Sequence, residues 1–289
     1  MNKQKSPIIG SFYAIIACLS VSVIIALVKL LAKDYNISFI VMVRNFFSLA
    51  IMIPLIIRDW NIISRPKLPI LNIIRSLNGF ISMSIWFYAI TITPLAEAVS
   101  ISFIVPYLTT IAAIIFLKEK VNLKSWIAII IGFIGVIIII RPGFREFKTG
   151  YIFVFIAAFC WAVSNILTKI LSEVQKPEHL VIYLSTIMLI VSIPFGISNI
   201  RPLDSYSIFL MFLIGLFSNI SYYFTSLCYS KTSLAIIQPI DFSRLIFATI
   251  IGYWFFNEKI DLMVIIGSII IMFGIIISLI NKKIKNIPV

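Results

Sequence analysis

The 289 residues carry 61% hydrophobic and only 12% charged side chains, with a mean hydropathy of +1.10. A soluble domain holds about a quarter charged residues, so a water-soluble enzyme fold is excluded. The net charge of +13 is scattered over many short segments and not gathered in one face or tail, which argues against a nucleic-acid binder and for anchoring at a lipid surface.

A bilayer core about 30 Å thick needs about 20 apolar residues per helix. Ten runs meet or approach that length: Ile8–Val28, Ile37–Ile57, Ile70–Ile90, Ala96–Leu117, Ser125–Ile140, Gly150–Ile170, Leu180–Ile200, Ser205–Tyr229, Leu234–Phe256 and Leu262–Ile280. The fifth is the shortest. The expected fold is an all-α integral membrane protein of ten transmembrane helices, with no connection long enough to hold a soluble catalytic domain. The residues ahead of Ile8 are too few for a cleaved signal, so the first run reads as span 1.

The chain nearly repeats itself. FLKEKVNL (Phe116–Leu123) returns as FFNEKIDL (Phe255–Leu262), and Gly135 and Gly274 match at the same offset. VMVRNFFSLAIMIPLII (Val41–Ile57) aligns with VIYLSTIMLIVSIPFGI (Val181–Ile197), with Pro54 over Pro194. The units are residues 8–140 and 150–280. Five crossings per unit is an odd number, so the second unit enters the membrane upside down. Inverted repeats place a transporter's substrate site between the halves. With the N-terminus inside, 13 of the 24 basic residues fall on the inner side and seven on the outer. The positive-inside rule then places both termini in the cytoplasm.

The chemistry must come from polar residues within the spans. There is no phosphate-cradling Gly-rich loop, and Cys18, Cys160 and Cys228 form no metal-ligand spacing. The one histidine, His179, reads as an interfacial capping residue, with a proton relay as the alternative. No cofactor, no metal and no enzymatic activity are expected. A charge near the bilayer centre costs at least about 2.5–3.5 kcal/mol on insertion scales, so it faces the bundle interior and finds a partner.

Arg44 in span 2 has Leu184 as its repeat counterpart, so the fold symmetry does not require it. It is either an anchor for a substrate carboxylate or phosphate, or the partner of an interior acid. Arg75, early in span 3, and the matched Lys29 and Lys169 read as interface anchors. Glu97 complements the start of span 4, with a coupling-proton role as its alternative. Span 9 holds the sharpest group, QPIDFSRLIF (Gln238–Phe247). Gln238, Asp241 and Arg244 step by three and share a helix face, and Pro239 removes a backbone hydrogen bond beside them. The Asp241–Arg244 pair either neutralises itself, or lines a cavity and reads the ammonium and carboxylate of a zwitterion. Aromatics cluster at Trp86, Phe87 and Tyr88 and at Tyr222, Tyr223 and Phe224, while Trp161 and Asn165 sit mid-span 6. They are core or lipid-facing, or they cage a planar or cationic ligand. The candidate substrate-binding residues are Arg44, Trp86, Tyr88, Trp161, Asn165, Tyr222, Gln238, Asp241 and Arg244.

Two inverted five-span units, a Glu closing spans 4 and 9 (FLKEK, FFNEK) and a glycine in the span that follows resemble the EamA-type, ten-span branch of the drug/metabolite transporter superfamily. The segment Ile236–Glu258 is similar to span 9 of bacterial members. The resemblance implies an inner-membrane secondary carrier of a small molecule, amino-acid-like or of the S-adenosylmethionine type. It also implies spans 1–4 and 6–9 around a central cavity, with spans 5 and 10 outside. Broad efflux of drugs or metabolites, and a non-transporting assembly subunit, are the competing functions.

Overall fold

The computed structural model describes residues 7–93, 95–102, 104–118, 123–141, 149–241, 243–256 and 262–280. Every regular element among them is an α-helix. In order these are α1 (Pro7–Leu31), α2 (Ile37–Arg58), α3 (Trp60–Ile63), α4 (Pro69–Ile92), α5 (Leu95–Ser102), α6 (Val105–Leu117), α7 (Leu123–Ile140), α8 (Thr149–Val174), α9 (Pro177–Ile197), α10 (Ser205–Lys231), α11 (Leu234–Asp241), α12 (Ser243–Phe256) and α13 (Leu262–Ile280).

Local chemistry sets the helix starts. Asn36 caps α2 by accepting the Ser38 N–H at 3.0 Å, and Asp204 caps α10 by accepting that of Ser207 at 3.4 Å. α4 and α9 open on prolines, whose missing N–H falls where a helix has no partner for it. At the other end of a span, Lys118 closes α6 in the left-handed region with φ 52°. A lysine there replaces the usual glycine.

Six helices, α1, α2, α4, α8, α9 and α10, are long and apolar enough to cross a membrane. The other four predicted spans coincide with α5–α6, α7, α11–α12 and α13, and for these the crossing remains an expectation from sequence. Span 4 departs from a single run. Ile104 lies in a turn between α5 and α6, with its N–H on the Ile101 carbonyl at 3.1 Å and Pro106 in the first turn that follows. The surface explains the composition: Ile57, Phe116, Tyr206, Trp254 and Phe273 point outward fully enough to need lipid around them.

Packing follows the repeat. α1 lies on α10, and its equivalent contact is α8 on α4; α2 on α10 corresponds to α9 on α4. α2 pairs with its own counterpart α9, as α7 does with α13. That exchange pattern is the mark of a two-fold relation. It reaches single atoms. A Cβ on Gly10 would overlap the Thr232 hydroxyl, and a Cβ on Gly150 would overlap that of Thr93. Gly10 and Gly150 occupy equivalent places in the two repeats, as do Thr93 and Thr232, so the same tight joint is built twice.

The halves are sewn by hydrogen bonds along α2. Ser48 and Ser185 share a bond of 2.7 Å, Asn45 donates to Ser192 at 3.5 Å, and Asn219 donates to the Ser48 carbonyl at 2.8 Å. Small and polar residues do this work where lipid removes the hydrophobic drive between helices. At the centre of the seam Gly215 sits against α2, where an added Cβ would stand 2.9 Å from the Ser48 nitrogen and 3.0 Å from the Arg44 carbonyl oxygen. Backbone cannot rotate away, so Gly215→Ala is expected to push α10 off α2. The expected cost is about 1–3 kcal/mol, read as a lowered thermal midpoint in detergent. An unchanged midpoint would contradict this packing.

Each end of the seam carries a clasp. At the α2–α4 end, His179 bonds Asp59 at 2.9 Å and Tyr183 donates to the Ile63 carbonyl at 3.1 Å. At the α1–α2 end, Arg201 donates to the Asp34 carbonyl at 2.9 Å and Tyr35 to that of Pro202 at 3.2 Å.

Candidate functional site

A cavity of about 150 Å³ opens between the repeats, far larger than the 10–15 Å³ that holds one water. Its walls come from α1, α2, α4, α8, α9, α10, α11 and α12. No described residue of α7 or α13 lines it, and none of α5 or α6 does, so span 4, expected in the wall, is not among the lining elements.

Each wall is a helical stripe. On α4 the lining residues are Arg75, Gly79, Ser82, Met83, Trp86 and Phe87; on α8 they are Trp161, Ser164, Asn165 and Thr168; on α10 they include Ser218, Ser221, Tyr222, Thr225 and Tyr229. Steps of three and four residues keep such sets on one face. Tyr88 lies two residues past Trp86, about 200° around the helix. It is 47% exposed and stacks edge-on against Phe153, so the structure places it outside the cavity.

The charged residues meet around Trp161. The Arg244 guanidinium sits over its ring at 4.6 Å, within the range of cation–π attraction. Arg244 Nη2 approaches Asp241 Oδ2 at 3.8 Å, and Arg244 Nε donates to the Asp241 carbonyl at 3.3 Å. The carboxylate is 20% exposed toward the cavity, and the Cys18 thiol donates to it at 3.5 Å. Trp86 packs edge-to-face on Trp161 with centroids 6.2 Å apart. Its Nε1–H is buried and has no acceptor among the described residues. Asn165 donates to Thr109 at 3.2 Å, and Tyr222 completes the wall. The Gln238 side chain lies outside the described residues.

Arg44 is 2% exposed, lines the cavity and donates Nε to Asn45 at 3.1 Å. No described carboxylate pairs with it. The structure thus brings together Arg44, Trp86, Trp161, Asn165, Tyr222, Asp241 and Arg244.

Two anchors expected at the lipid headgroups are buried instead. Lys169 donates to the Tyr229 and Thr232 carbonyls at 2.6 and 3.2 Å, where it satisfies the last turn of α10. Arg75 is 4% exposed and donates to Thr168 Oγ1 at 2.7 Å and to the Leu180 carbonyl at 3.1 Å. Depth alone suggested snorkelling; the stripe it shares with Gly79, Ser82 and Trp86 points inward and was the available signal. Cys18 was also missed, because a cysteine in an apolar run carries no mark of its direction.

His179 serves the clasp. Asp59, Glu178 and His179 bring ligand-type atoms within 4.8 Å of one another. Asp59, however, is already gripped by Arg58 at 2.9 Å and by His179. Those two bonds, Arg58's first, hold its carboxyl below the usual carboxylate range. The group therefore acts as a hydrogen-bonded clasp between the repeats, His179 on Asp59.

A multi-pass helical bundle of two related halves, arranged around a charged and aromatic cavity, is the architecture of a membrane carrier. The EamA-like transporter family profile matches residues 8–141 and 148–280, and the chain belongs to that family. It is 24% identical over 240 residues to the S-adenosylmethionine uptake transporter of Rickettsia prowazekii (strain Madrid E), covering 83% of this chain and 82% of that protein. It is 27% identical over 212 residues to a riboflavin transporter of Brucella anthropi, covering 71% and 75%. A pseudopaline exporter of Pseudomonas aeruginosa (strain UCBPP-PA14) is 24% identical over 277 residues, covering 95% and 97%. A crystal structure of a protein 15% identical in sequence superposes with a TM-score of 0.76 over 96% of this chain and 97% of that one, a likeness of fold.

Proposed function

We propose that this small-metabolite transporter takes up an amino-acid-like solute bearing a planar ring, of the S-adenosylmethionine type, across the inner membrane, with both termini in the cytoplasm. The observation that carries the reading is the Asp241–Arg244 pair beside the Trp86–Trp161 rings in the cavity between the repeats. Asp241 offers a carboxylate to an ammonium or sulfonium. Arg244 and Arg44 offer guanidinium forks to a carboxylate. Trp161 offers a ring face, and the Trp86 Nε1–H, without an acceptor among the described residues, seeks one on the ring edge. Asn165 and Tyr222 supply further polar contacts. A buried donor left without its acceptor costs about 1–3 kcal/mol, so a ligand that supplies one is selected over one that does not. The relatives that take up S-adenosylmethionine support the same solute class.

The test is uptake of labelled S-adenosylmethionine by purified protein in proteoliposomes, with and without a pH gradient to detect a coupling proton. Saturable uptake competed by unlabelled solute is expected. Absence of uptake, with counterflow of riboflavin or other unrelated solutes instead, would overturn the substrate assignment. Efflux is the second reading, favoured by the exporter that matches over nearly the whole chain; net movement only from the cytoplasmic face would establish it. Reporter fusions after Ile280 that are active only outside would refute the orientation.

A further inference from the structure

The described residues lining the cavity include three guanidiniums, Arg44, Arg75 and Arg244, but one carboxylate, Asp241. An amino-acid-like solute with a single carboxylate brings no net negative charge to offset that excess. Arg244 is matched by Asp241 and the Trp161 face. Arg75 is not matched: among the described residues its partners are the neutral oxygens of Thr168 and Leu180. Thr168 donates its own hydroxyl hydrogen to the Ser164 carbonyl at 2.7 Å. Its oxygen is thereby fixed as an acceptor for Arg75 Nε. The guanidinium is held by Nε and Nη1, and of its five N–H donors those on Nη2 have no described protein partner. A buried, oriented cation without an anion is costly to keep in a membrane protein.

Its position separates it from the ring pair. Arg75 precedes Trp86 by eleven residues on α4, and its partner Thr168 follows Trp161 by seven on α8. At 1.5 Å per residue these are about 16 and 10 Å along the helices. We infer that Arg75 is an anion subsite at the far end of the cavity, taking a carboxylate or phosphate group on its free Nη2 edge. The inference deepens the carrier reading above. The anion is either an acidic group of the transported solute or a small free anion bound beside it.

The test measures the thermal midpoint of purified full-length protein with inorganic phosphate or propionate, against chloride at equal ionic strength. Wild type is expected to rise by roughly 2–5 °C at concentrations well above the dissociation constant. Arg75→Gln, which keeps a hydrogen-bond donor but no charge, is expected to show no rise, and Arg75→Lys to keep part of it. A second arm compares S-adenosylmethionine with its decarboxylated analogue. If the solute's carboxylate lies on Arg75 and not on Arg44 and Arg244, wild type prefers the carboxylated form at least tenfold, phosphate competes with it, Arg75→Gln loses the preference and Arg44→Leu keeps it. If a free anion occupies the site, phosphate leaves solute affinity unchanged or raises it. Either pattern supports the subsite. An anion response equal in wild type and Arg75→Gln, or none in wild type, overturns it. Should Arg75→Gln fail to fold, a response undiminished from wild type in a folded Arg75→Lys protein overturns it as well. Failure of both adenosyl ligands to bind, with the phosphate response intact, removes the substrate assignment and leaves the subsite standing.

Discussion

Exchanging the two charges of span 9 (Asp241→Arg with Arg244→Asp) is expected to reduce transport at least 100-fold, about 2.7 kcal/mol in barrier height, in a protein that still inserts and folds. Net charge is unchanged, so a pair that only neutralised itself would survive the exchange. The geometry predicts otherwise because the two positions differ. Position 244 faces the Trp161 ring at 4.6 Å, where a cation is attracted and a carboxylate is repelled. Position 241 faces the Cys18 thiol at 3.5 Å and an opening toward the solute. After the exchange the ammonium of a zwitterion would meet a guanidinium. Losing the cation–π contact costs about 0.5–2 kcal/mol, which lowers the thermal midpoint by a few degrees. Transport at wild-type rates would make the pair an internal neutraliser.

Arg44→Leu copies the residue of the other repeat, Leu184, and is expected to separate stability from affinity. Arg44 is buried, and its one described side-chain bond is to Asn45. Removing a charge that costs at least about 2.5–3.5 kcal/mol within a span should leave the protein as stable or more so. On the proposed reading the same change removes a fork for the solute's acid group. The half-saturation constant is expected to rise 10- to 100-fold, about 1.4–2.7 kcal/mol, with the limiting rate less affected. Wild-type rate and half-saturation in this variant would make Arg44 structural.

The architecture was legible because lipid imposes two strong constraints. A crossing needs an unbroken apolar run, and a charge inside it needs a reason. The run lengths located the helices, and the doubled FLKEK and FFNEK segments, with Pro54 over Pro194, exposed the repeat. The same constraints marked Arg44, Asp241 and Arg244, all of which the structure puts on one cavity. What sequence left open was direction around each helix. Arg75 lies less than two turns from the start of α4, so depth alone fitted a snorkelling anchor, and only its stripe toward Trp86 shows that it faces inward. Lys169 was misjudged in the same way, since the carbonyls it caps belong to α10 and come near only through the fold. Tyr88 failed for the opposite reason. It shares a cluster with Trp86 in sequence but not a face in space. The tight Gly10–Thr232 and Gly150–Thr93 joints depend on a match at offsets of 139 and 140 between residues too ordinary to stand out alone.

The central claim is that solute binds between the repeats, at the ring pair and the span-9 charges. The most direct measurement is the anomalous scattering of crystals grown with the selenium analogue of S-adenosylmethionine. The account predicts one strong selenium peak inside the cavity, between the Asp241 carboxylate and the Trp161 ring. A selenium peak outside these walls, in protein that transports the analogue, would contradict it.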